Sequence, residues 1–81
     1  MDDTLARYRA FLHVIGTFIK EDALRARKEA DESSDSNRLF YRGKLHGYYG
    51  VVSTLQQQAT PLGIPLEELE LDDIVPDRDL L

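Results

Sequence analysis

Gly43, Gly47 and Gly50 fall inside a stretch, Asn37 to Ala59, that otherwise reads as a helix. Each glycine in a helix interior costs about 1 kcal/mol relative to alanine, so three cost roughly 2–3 kcal/mol. A chain of 81 residues has a total stability on the order of 4–10 kcal/mol. A cost of that size points to a return elsewhere, and the usual return is close approach by another backbone. The sequence therefore reads as a helix that meets a partner element at short range.

A chain this small forms one domain, 1–81, and buries only about 60–65% of the surface it exposes when unfolded. Domains of this size are commonly reinforced by disulfides, metals or oligomerisation. The chain has no cysteine, which excludes disulfides and thiolate metal sites. Two histidines without ligand-like spacing argue against zinc. No metal or cofactor is expected, and oligomerisation remains. The lack of cysteine suits a reducing cytoplasm. The apolar stretch around Val14–Ile19 is interrupted by Gly16 and Thr17 and closed by Lys20, far short of the ~20 residues that span a bilayer. Met1-Asp2-Asp3 lacks the basic start of a signal peptide. A cytoplasmic protein without membrane contact is expected.

The first helix is expected over about residues 4–32, capped by Asp3 or Thr4 and roughly 42 Å long. Leu5, Tyr8, Phe11, Leu12, Ile15, Phe18, Ile19, Ala23, Ala26 and Ala30 recur at spacings of three and four. They fall within an arc of about 140°, a core-facing stripe. The stripe tapers from large residues to alanines, which allows closer approach toward the C-terminal end. His13, Lys20, Leu24 and Arg27 lie opposite, toward solvent or a partner. Ser33-Ser34-Asp35-Ser36-Asn37 reads as a turn, with Ser34 or Ser36 capping the next helix. So short a connection makes the two helices antiparallel neighbours.

The second helix, about 37–59, has two apolar sides. One follows a heptad through Tyr41, Leu45, Tyr48, Val52, Leu55 and Ala59. The other holds Gly43, Gly47 and Gly50, edged by Phe40, Val51 and Thr54. One partner helix can cover only one of these sides, so the second helix needs two neighbours. Pro61, Gly63 and Pro65 then break the pattern, and a short helix is expected over about 65–69. The remaining tail, 70–81, mixes acidic residues with Leu71, Ile74, Val75, Leu80 and Leu81. It carries too many apolar side chains to float free. The expectation is an extended tail packed along the hairpin, its carboxylates near Arg38, Arg42 or Lys44 of the same or another subunit.

The segment Phe40-Tyr-Arg-Gly-Lys-Leu-His-Gly-Tyr-Tyr-Gly-Val-Val-Ser-Thr-Leu-Gln-Gln-Gln-Ala59, with Leu62-Gly-Ile-Pro-Leu-Glu-Glu-Leu after it, resembles short uncharacterised bacterial helical proteins, some carried on mobile (integron-type) gene cassettes. The resemblance covers about the C-terminal half. It implies a small helical protein without an assigned activity and carries over no catalytic residue.

No constellation for catalysis is present: no cysteine, no glycine-rich phosphate loop, and no nucleophile beside a histidine on one face. Arg38, Arg42 and Lys44, interleaved with aromatics, form the one basic stretch. Lys44 points away from the two arginines on a helical wheel, and the net charge of −5 disfavours nucleic acid. Glu29, Asp31, Glu32 and Asp35 read as a charged turn without calcium-loop spacing.

The sequence thus predicts an all-α, non-enzymatic protein: an antiparallel helical hairpin with a short third helix and an acidic tail, dimerising into a four-helix bundle. Core and interface fall to Leu5, Tyr8, Leu12, Ile15, Tyr41, Gly43, Gly47, Tyr48, Gly50 and Val52. Its expected role is protein–protein interaction, with a nucleic-acid-contacting regulator or an antitoxin-like acidic decoy as alternatives.

Overall fold

A computed structural model describes residues 3–81. Two long antiparallel helices, α1 (Asp3–Glu32) and α2 (Arg38–Ala59), are followed by a 3₁₀ turn (Leu66–Leu69) and a one-turn helix, α3 (Pro76–Asp79). No strand occurs among the described residues. The molecule is elongated, 55 × 21 × 16 Å, because α1 runs its full length without a break.

The connection differs from expectation in its capping. Asn37 occupies the N-cap position of α2 and makes no side-chain cap hydrogen bond. The Ser34 and Ser36 hydroxyls lie 3.1 Å from each other instead, and the Asn37 amide donates to the Ser34 carbonyl at 3.0 Å. A tight backbone turn closes the connection, and α2 starts without a side-chain cap.

Two successive helix-terminating motifs then reverse the chain. After α2, Ile64 N–H donates to the Ala59 carbonyl and Gly63 N–H to that of Thr60, with Gly63 left-handed at φ 69°. This is the Schellman pattern, which favours glycine because no Cβ obstructs the left-handed turn. The same pattern recurs where Leu71 N–H donates to Leu66 and Glu70 N–H to Glu67, here with Glu70 at φ 56°. The second reversal lays the tail along the hairpin.

The core forms where the three layers meet. Ala23, Ala26 and Ala30 of α1, Leu45, Val52 and Ala59 of α2, and Leu69, Leu71, Ile74 and Leu80 are all buried. The small α1 residues let both α2 and the tail come close. The tail is not extended throughout: Pro76 starts α3, and the Asp79 carboxylate accepts a hydrogen bond from Val75 N–H at 2.8 Å.

The expected close approach exists, but at a different glycine. A Cβ on Gly16 of α1 would collide with the Leu69 backbone carbonyl, whereas one on Gly43, Gly47 or Gly50 would meet nothing within 4 Å. The three α2 glycines therefore serve no contact within the chain. Gly16 admits the 3₁₀ turn instead.

Candidate functional site: the uncovered face of the hairpin

The tail covers one face of the hairpin and leaves the other bare. On the tail side, the Lys20 ammonium donates to Asp73 at 3.0 Å and lies 3.7 Å from Glu70. His13 is 3.5 Å from Glu70, and Arg9 is 3.6 Å from Glu68. The Arg27 guanidinium donates to the Asp79 carbonyl at 3.2 Å. From α2, the Gln56 amide donates to the carbonyls of Leu71 (3.0 Å) and Ile74 (2.9 Å), and the Tyr49 hydroxyl to Asp77 (2.6 Å). These bonds shift the titrating groups in the sense of the partners. Lys20 is raised, chiefly by its hydrogen bond to Asp73, and Asp73 is lowered by the same bond. Asp79 falls to about 2 through hydrogen bonds from Arg78 and Val75 N–H.

Two expectations are corrected here. The tail carboxylates bond to α1, Tyr49 and Arg78. Arg38 pairs with Asp35 at 3.1 Å and Lys44 with Glu29 at 3.2 Å, while Arg42 lines a depression with Leu45, His46, Leu80 and Leu81. The three cations do not converge on one ligand. Similarly, the α1 flank carrying His13, Lys20 and Arg27 does not face open solvent; the tail lies along it.

The opposite face is mostly apolar, with the Asp22–Arg25 pair on α1, and the tail does not cover it. On a wheel of about 100° per residue, Tyr8, Phe11, Ile15 and Phe18 lie roughly 100–180° from the flank that the tail covers. Tyr8, Phe11 and Phe18 are 65%, 61% and 59% exposed. On α2 the corresponding flank carries Phe40 (69% exposed), the three glycines, Val51 and Thr54. The Glu29–Lys44 pair bridges the helices on this side, so the two flanks form one surface. Along it runs a shallow trough of about 500 Å³ lined by His46, Gly47, Gly50, Val51, Thr54 and Leu55.

Of the residues expected in core or interface, Val52 is buried and Leu12, Tyr41 and Tyr48 are half-buried. Leu5, Tyr8 and Ile15 are exposed and do not belong to the core of the single chain. Ile15 lies on the flank that neither α2 nor the tail covers; for Leu5 and Tyr8 the reason is length. α1 has 30 residues and α2 has 22, and the Glu29–Lys44 register brings Ala59 level with about residue 14 of α1. The first turns of α1 run past the end of α2.

Sequence reasoning missed Gly16, although a signal was present: Gly16, Ala23 and Ala30 continue one small-residue line at seven-residue spacing. It also missed that no Asp, Glu, Lys or Arg occurs between Leu45 and Leu66, or between Ala10 and Ile19. In the hairpin the α1 run lies beside residues 54–63 of the other, and depletion of charge marks the centre of protein interfaces.

His46 stacks on Tyr49 with ring centroids 6.1 Å apart. The Asp77 hydrogen bond raises the Tyr49 hydroxyl, the reverse of nucleophile activation. Among the described residues, no cluster of three or more His, Asp or Glu is placed to hold a metal ion, and no helix is long and apolar enough to cross a membrane. No family model matches the chain, and no curated protein or solved structure matches it.

Proposed function

We propose that this chain is a small protein-interaction module that works as a homodimer, two hairpins packing through their uncovered faces into a four-helix bundle. The observation that carries this reading is the bare glycine flank of α2 beside the exposed aromatics of α1. Glycines with nothing near them weaken a helix for no return in the single chain. A second backbone on that flank supplies the return.

The surface is large enough. At 150–250 Å² per aromatic side chain, the exposed fractions of Tyr8, Phe11, Phe18 and Phe40 leave roughly 500 Å² in water. Ile15, Leu39 and Val51 add to it. The total approaches the ~800 Å² per partner of a standard stable interface, and the largest apolar patch on an ordinary monomer is about 300–600 Å².

Sedimentation equilibrium at micromolar concentration tests the proposal. A species of twice the 9.3 kDa chain mass is expected. A species of single-chain mass across the whole concentration range would end it. The pairing of Arg38 and Lys44 and the bonding of the tail carboxylates within the chain favour the homodimer over the nucleic-acid and decoy readings.

A further inference from the structure

The uncovered apolar surface is divided between the two ends of the hairpin. At the turn end of α2, Leu39 is 89% and Phe40 69% exposed, the two highest values among the large apolar side chains apart from Leu62. Further along the same helix lies the trough formed by Gly47, Gly50, Val51 and Thr54. One helix thus carries a projection and a hollow, about 21 Å apart from Phe40 to Thr54. Because a two-fold interface pairs residue i with j and j with i, a surface with a projection and a hollow can complete itself.

We infer that the second copy lies antiparallel, α2 crossing α2 at Gly47, so that Phe40 of each copy enters the trough of the other between Gly50, Val51 and Thr54. This arrangement rests on the homodimer proposed above and specifies its register.

Four observations carry it. With Gly47 on the two-fold axis, Gly43 faces Gly50 of the second copy to within one residue, so all three glycines lie at the crossing. Phe40 and Thr54 are each seven residues from Gly47, on opposite sides, and so face one another across the axis. The Glu29–Lys44 register sets Ile15 and Phe18 of α1 beside the trough, where they flank the incoming Phe40. Finally, this register sets the exposed Phe18, Leu39, Phe40 and Val51 against the second copy, while Tyr8 and Phe11 extend past its turn. The alternative axis, along the bundle, sets Phe40 level with Phe40 of the second copy and leaves the trough without a side chain to fill it.

The absence of cysteine makes a direct test available. A disulfide forms when Cα atoms come within about 4.4–6.8 Å. Under mild oxidation, Gly47→Cys is expected to give a disulfide-linked dimer, and a mixture of Gly43→Cys and Gly50→Cys chains to link preferentially with each other. Glu67→Cys, exposed on the 3₁₀ turn, serves as the control and should not link. Gly47→Leu should weaken association at least tenfold with helical circular dichroism unchanged, since the single chain has open space there. Dimers of the expected mass that show neither glycine link, or a Gly47→Leu chain that associates as before, would overturn this register and leave the homodimer standing. A chain that is monomeric throughout would overturn both.

Discussion

On the tail-covered face, Gly16 is pressed against the Leu69 carbonyl so closely that no side chain fits; on the uncovered face, Gly43, Gly47 and Gly50 each have open space around them. The same residue type stands in two helices for two different reasons. At Gly16 the loss of helix propensity is offset inside the chain, because the 3₁₀ turn packs there and leads Leu71, Ile74 and Leu80 into burial. On α2 the loss is offset by nothing within the chain. The polar groups divide in the same way. The tail face is bound by side-chain hydrogen bonds from Lys20, Arg27, Tyr49 and Gln56. On the bare face, Glu29–Lys44 bridges the helices near the turn and Asp22–Arg25 pair along α1, and no Asp, Glu, Lys or Arg follows on α1 from Ile19 back to Ala10. A helix glycine therefore acquires meaning only from what stands opposite it.

This contrast can be broken most forcefully at Gly16. Gly16→Ala drives a Cβ into backbone, which cannot swing aside as a side chain can. A loss of about 3 kcal/mol is expected, read as a lowered denaturation midpoint with the tail detached. Gln56→Ala is next. It leaves the Leu71 and Ile74 carbonyls without their donor, and about 1–3 kcal/mol should be lost in urea unfolding. A value near zero would mean that the tail is not held by these bonds.

The opposite sign is expected on the bare face. Gly43→Ala, Gly47→Ala or Gly50→Ala should each raise the stability of the dissociated chain by up to about 1 kcal/mol, measured by thermal unfolding at low concentration. The same changes should weaken self-association at high concentration. A stabilised chain that dimerises as well as before would remove the role assigned to the glycines.

The smallest effect sharpens the tail side alone. Asp73 and Asp79 both titrate below the ordinary carboxylate value, Asp79 at about 2. A group whose folded value is depressed contributes stability that is present above its unfolded value and is lost as pH falls through the folded one. The tail contacts should therefore loosen between about pH 4 and pH 2. Lys20 and Tyr49 are raised, so their contributions hold below about pH 10 and are lost as pH rises further. Tyrosine fluorescence across both ranges checks this. Screening of these exposed groups makes the change modest.

The hairpin was legible because it is written in local patterns: three- and four-residue spacing through α1, a heptad in α2, and a polar five-residue turn between them. The path of the tail was only half legible. Its apolar content required burial, but nothing in the order of residues indicated that Glu70 takes a left-handed conformation, or that α1 rather than Arg38 and Arg42 receives the carboxylates. Those facts depend on where the second reversal aims the chain. The close approach expected at the α2 glycines falls within the chain on Gly16 of α1, and Gly43, Gly47 and Gly50 are left with open space. Gly16 was hidden in an apolar run, where it read as an interruption. The exposure of Tyr8 and Leu5 followed from the unequal lengths of α1 and α2, which periodicity alone does not weigh.

The account as a whole turns on whether the bare face is covered in solution. Hydroxyl-radical labelling over a concentration series compares the two faces in a single sample. Phe18 and Phe40 are expected to be labelled at nanomolar chain and protected at high micromolar, while Leu71 is protected throughout. Phe18 and Phe40 labelled equally at every concentration would contradict it.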